Sequence, residues 1–108
     1  MAIHHAGPTE VFDVRPLREK LRESKTTALV KTDTLEVIRI VLPAGKQLPP
    51  HRVDGEITVQ CLEGCLIFDA EGTEHELAQG QMLYLAGGAL HALRGIEDSS
   101  VLVTILLR

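Results

Sequence analysis

The hydrophobic pattern of this chain changes character once, near residue 24. Before that point one short helical signal occurs: Asp13 is placed to cap a turn, Pro16 suits a first helical position, and Leu17 and Leu21 recur at i, i+4. Beyond it the spacing is that of strands. TTALVKT and TLEVIRIVL meet at Asp33 as in a hairpin, and in the second run Ile38, Ile40 and Leu42 alternate with Arg39 and Val41. PAGKQLPPHR interrupts the pattern, because Pro49 and Pro50 cannot sit inside a central strand, and it is read as a loop leading into His51. EITVQCLEGCLIFD is extended, with Gly64 marking a bulge or sharp bend. DAEGT is a turn, HELAQG returns, and QMLYLAGGALHALRG and SVLVTILLR supply the last strands around the polar EDSS turn. About eight to ten short strands spaced by turn signals predict an all-β sandwich or barrel rather than alternating βαβ units.

Length keeps this to one folding unit, with residues 1–24 expected as an N-terminal strand and short helix packed on a barrel formed by 25–108. The hydrophobic fraction of 44% comes from aliphatic residues, and the only aromatic rings are Phe12, Phe68 and Tyr84. Flat stacking surfaces for sugars or nucleobases are therefore scarce. A formal charge of −4 offers no electropositive face to nucleic acid or anionic lipid. The cluster Arg15, Arg18, Lys20, Arg22 and Lys25 is interleaved with Glu19 and Glu23 and reads as a solvated face. No run approaches the roughly 20 apolar residues that span a bilayer, and MAIHHAGPTE has no secretory pattern, so a soluble, cytoplasmic protein is expected.

Cys61 and Cys65 lack a second Cys/His pair at zinc-site spacing. On one extended strand they would lie about 13 Å apart, too far for a disulfide, so two free buried thiols are expected. His75, between Glu74 and Glu76, reads as solvent-exposed, and His4 and His5 as a terminal pair where a metal adduct would carry no biological role.

Two spaced signatures carry the remaining chemistry. Gly45, five residues, His51, a short gap, Glu56, ITVQCLE and Gly64 resemble the first cupin motif, G-x5-H-x-H-x(3–4)-E-x6-G. Gly80, QMLYL, Ala86, Gly87, Gly88, two residues and His91 resemble the second, G-x5-P-x-G-x2-H-x3-N. Their order and separation match the cupin superfamily, specifically a small single-domain RmlC-like cupin with a degenerate first motif. The resemblance implies a β-barrel of the double-stranded β-helix or jelly-roll kind with one short N-terminal helix, and a histidine from each motif meeting in the barrel mouth.

Departures from the motifs limit the implied site. Val53 stands where the family has a second histidine, Ile57 where it has the glutamate, and Ala86 and Gly95 where it has proline and asparagine. His51 and His91 carry over directly. Glu56 joins them only if the turn after His51 is one residue shorter than in the family. Glu56, Thr58 and Gln60 then face inward, with Tyr84 lending a hydroxyl or packing nearby; in the other register Ile57, Val59 and Cys61 do so and the interior is apolar.

The reading taken is a pocket for a small, largely apolar or carboxylate-bearing molecule, lined by Thr58, Gln60 and Tyr84, with or without a divalent transition metal (Fe, Mn, Ni or Zn) on His51, His91 and Glu56, and with no organic cofactor. The alternative is a metal-dependent cupin enzyme of the dioxygenase, isomerase or decarboxylase class. A ligand-sensing domain of a transcription regulator is less favoured, since no helix-turn-helix or basic surface accompanies the barrel. The apolar last strand and N-terminal strands point to a homodimer.

Overall fold

A computed structural model describes residues 4–107. Nine strands are present among them: β1 (Thr27–Lys31), β2 (Leu35–Leu42), β3 (Gln47–His51), β4 (Ile57–Glu63), β5 (Cys65–Ala70), β6 (Thr73–Ala78), β7 (Met82–Leu85), β8 (His91–Gly95) and β9 (Ser99–Leu106). They form two antiparallel sheets, one in the order β1-β2-β9-β4-β7 and the other β3-β8-β5-β6. The sheets face each other as a jelly-roll sandwich and do not join by hydrogen bonds into a closed barrel.

Period-two patterning explains which face each strand buries. In β4 Ile57, Val59 and Cys61 are buried, while Thr58, Gln60 and Leu62 are only half-buried. In β9 Val101, Val103 and Ile105 turn inward. These residues meet Leu66, Phe68, Leu77 and Leu93 of the opposite sheet in one continuous core, where removal of aliphatic surface from water supplies the main stabilisation.

Gly64 lies at the passage from one sheet to the other. Its φ of +83° is left-handed backbone, and a Cβ there would stand 2.3 Å from the Asp98 carbonyl oxygen. Cys61 and Cys65 therefore lie on different strands either side of this bend rather than on one strand. Both thiols are free; Cys61 is buried, but Cys65 is only half-buried. Cys65 donates to the Glu76 carboxylate at 3.1 Å, and that bond to a negative charge pushes its pKa up to about 11.

Two local expectations change. Pro49 and Pro50 belong to strand β3 rather than to a loop, which is tolerated because β3 is a sheet edge and its pairing with β8 is irregular between Leu48 and His51. Residues 4–17 contain no strand, although the Ala6 N–H donates to Leu29 O at 2.8 Å and ties this segment to β1.

The expected helix is a 3-10 helix, Arg18–Glu23, whose Leu21 is buried. Asp13 does not cap it, since its carboxylate accepts the Arg15 N–H instead. The cap comes from Glu63, whose carboxylate accepts the Leu17 and Arg18 N–H groups at 2.8 and 2.9 Å and the Ser100 hydroxyl at 2.5 Å. A bulge in the β4–β9 pairing between Cys61 and Glu63 turns Glu63 to the outer face, under the N-terminal segment. Among the described residues no helix is long and apolar enough to cross a membrane.

Candidate functional site

His51 closes β3 and His91 opens β8, and the two are direct partners across that antiparallel pair. Their rings lie 4.2 Å apart, tilted by 58°. His91 is 5% exposed and stacks on Phe68 at 5.6 Å with the rings nearly parallel, whereas His51 sits at the exposed rim. Each ring is fixed through Nδ1: His51 meets the Pro49 carbonyl oxygen at 3.3 Å and His91 the Ala89 carbonyl oxygen at 3.1 Å. A carbonyl oxygen only accepts, so both Nδ1 atoms carry a proton, and in the neutral form of each ring Nε2 presents a lone pair. Burial holds the His91 pKa below 6.5, overcoming the opposing pull of the Ala89 carbonyl, and neighbouring His51 lowers it further.

Beneath the two rings lies a cavity of about 80 Å³ between the sheets. Its wall is aliphatic and aromatic: Ile38, Ile40, Val53, Ile57, Val59 and Phe68, with Leu93, Val103 and Ile105 completing it. His51 and His91 contribute the polar side chains of the lining.

The expected Glu56 set is divided between two faces. β4 takes the register that turns Ile57 and Val59 inward, so Glu56, Thr58 and Tyr84 line a separate hollow of about 250 Å³ with Thr104 and Leu106 on the outer face of the five-stranded sheet. Gln60, paired with Met82 and Leu102, shares that alternation. The Tyr84 hydroxyl donates to the Glu56 carboxylate, which raises the Tyr84 pKa. The cause is burial: turning Glu56, Thr58 and Gln60 inward would desolvate three polar side chains and expose Ile57 and Val59. Of the residues singled out from sequence, His51 and His91 come together and Glu56, Thr58, Gln60 and Tyr84 do not join them. The wall residues Ile38, Ile40, Phe68, Val103 and Ile105 were not singled out, although alternation in β2 and β9 marks most of them.

This donor set does not fit a divalent transition metal. Two imidazoles line the cavity, while Val53 and Ile57, which stand at the remaining ligand positions of the cupin motif, are both wall residues without donor atoms. No group of three or more His, Cys, Asp or Glu side chains able to hold a metal is found among the described residues.

No protein-family model matches the chain, and no curated protein matches it in sequence. Solved structures do match. A cupin superfamily protein from Desulfitobacterium hafniense superposes with a TM-score of 0.76 at 16% identity, covering 91% of this chain and 95% of that one. An RmlC-like cupin from Desulfovibrio desulfuricans gives 0.69 at 23% identity over 98% and 96% of the two chains. The chain has the cupin fold. Salicylate 1,2-dioxygenase from Pseudoaminobacter salicylatoxidans is a third match, with a TM-score of 0.65 at 18% identity, but 73% of this chain corresponds to only 22% of that protein. This cupin-fold chain keeps a histidine from each motif-like segment at the place where the sheets open, and surrounds the pair with aliphatic residues.

Proposed function

We propose that this cupin binds a small, largely apolar molecule in the cavity between its sheets, with His51 and His91 as the polar contacts and without a metal. The supporting observation is the convergence of two oriented imidazoles on an otherwise apolar cavity. Among the described residues His51 and His91 are the only ionisable side chains in the lining, and no carboxylate or nucleophile stands with them, which supports a binding reading.

A fragment screen by ligand-observed NMR tests it, using wild type, Ile40→Phe and Glu56→Gln. Fragments should bind wild type and Glu56→Gln and be lost from Ile40→Phe, which fills the cavity. Hits that survive Ile40→Phe but disappear with Glu56→Gln would move the site to the outer face and refute the reading.

We also propose a homodimer formed through the outer face of the five-stranded sheet. Met82, Tyr84 and Leu106 are 58%, 60% and 39% exposed there. Among the described residues Glu56 is the one charged residue of the hollow beside them, so two copies of this patch would meet with little like-charge repulsion. Sedimentation at micromolar concentration should give twice the chain mass for wild type and the chain mass for Met82→Glu. A wild-type mass equal to one chain would contradict the dimer.

A further inference from the structure

We infer that the His51/His91 cavity selects a neutral molecule carrying a hydroxyl or amine hydrogen-bond donor on a compact apolar body, and discriminates against carboxylates. The inference rests on the cavity reading above and adds the ligand's chemistry. In its neutral form each imidazole has its tautomer set from behind: Pro49 O and Ala89 O are acceptors, so the Nδ1 protons point at them and the Nε2 lone pairs are left to accept. Both polar side chains of the lining are therefore acceptors.

The complementary group on a ligand must donate. A hydroxyl placed between two rings whose centroids are 4.2 Å apart gives its proton to one Nε2, and a group with two N–H or O–H donors can serve both. A carboxylate would bring two further acceptor oxygens against these lone pairs. Among the described residues Lys and Arg are absent from the lining, so a compensating positive charge would have to come from protonating an imidazole, which burial disfavours at His91. The apolar wall specifies the rest of the molecule, with Phe68 and the Ile and Val side chains offering dispersion contacts and no further polar partner.

The experiment is a three-probe titration followed by methyl and imidazole NMR signals of wild type, His51→Leu and His91→Phe. Phenol and toluene have the same heavy-atom shape and differ in the donor, and benzoate carries the anion. Phenol should bind wild type roughly fivefold to tenfold more tightly than toluene, as one net hydrogen bond implies, with benzoate weakest. In His91→Phe, which keeps a ring on Phe68, the preference for phenol over toluene should shrink toward onefold while toluene still binds. His51→Leu, at the exposed rim, guards against a folding artefact in the buried variant and should weaken the preference in the same direction. Equal binding of phenol and toluene to wild type, or tightest binding of benzoate, would overturn the donor inference while leaving the cavity reading intact. Failure of all three probes to bind would overturn both.

Discussion

Replacing Glu63 with alanine should release the N-terminal segment from the sheet. The Glu63 carboxylate is 9% exposed and receives the Leu17 N–H, the Arg18 N–H and the Ser100 hydroxyl, and the buried Arg39 guanidinium lies close enough to influence it. Burial pushes its pKa up, but the hydrogen bonds from Ser100, Leu17 and Arg18 and the Arg39 charge outweigh that and hold it below 4.5. Hydrogen bonds to a charged acceptor contribute about 1.5–3 kcal/mol each, and part of that sum offsets desolvation of the carboxylate. In Glu63→Ala the Leu17 and Arg18 amides can rehydrate as the segment lifts. Ser100 is fully buried and cannot, and Arg39 loses a neighbouring counter-charge. The net loss should be about 3 kcal/mol, at the lower end of what removing one partner from a buried charged group costs. Glu63→Gln, which keeps one carbonyl acceptor in the same shape, should lose roughly half as much.

Urea unfolding measures the free-energy change, and amide hydrogen exchange shows where it acts. Leu17, Arg18 and the Leu21 turn should lose protection while β4 and β9 exchange only in step with global stability. The depressed carboxyl pKa means this contribution is complete above about 4.5 and is lost as pH falls through the folded-state value. A Glu63→Ala protein within about 0.5 kcal/mol of wild type, with Leu17 and Arg18 exchange unchanged, would refute the claim that this carboxylate anchors the segment.

Other expectations are local. Gly55→Ala should destabilise by at least about 2 kcal/mol in thermal unfolding, since its Cβ would fall 1.7 Å from the Leu106 carbonyl oxygen. Gly7→Ala, with open space around it, should stay within about 0.5 kcal/mol. Because the folded His91 pKa lies below 6.5, stability should be complete above that pH and decline as pH falls toward the folded value; His91→Phe should flatten this limb of the stability–pH curve. Tyr84→Phe should leave phenol affinity unchanged by titration calorimetry, because Tyr84 and the cavity lie on opposite faces of the sheet.

The fold was legible because strand alternation and turn residues are local signals, and the two glycine-and-histidine spacings reach across the chain. The histidine pair was legible for the same reason. The direction of Glu56 was not, because the turn between His51 and β4 sets the register and its length could be read two ways. Burial decided it: Ile57, Val59 and Cys61 form an unbroken aliphatic and thiol row, whereas Glu56, Thr58 and Gln60 can remain partly hydrated. That row is the signal in the sequence that favours the observed register. The Glu63 anchor left no local trace, since its partners at Leu17 and Arg18 lie far away in sequence and the bulge that turns it outward follows from pairing with β9.

The central claim is that the working face of this cupin-fold chain is the apolar cavity under His51 and His91. Titrating phenol into uniformly labelled protein and mapping every shifted resonance tests it most directly. The account predicts saturable shifts at the His51 and His91 Nε2 atoms, at Phe68, and at the Val53, Ile57 and Val59 methyl groups, with Tyr84 and Thr58 side-chain signals unmoved. Shifts centred on Tyr84, Thr58 and Leu106, with both imidazoles unchanged at saturation, would contradict it.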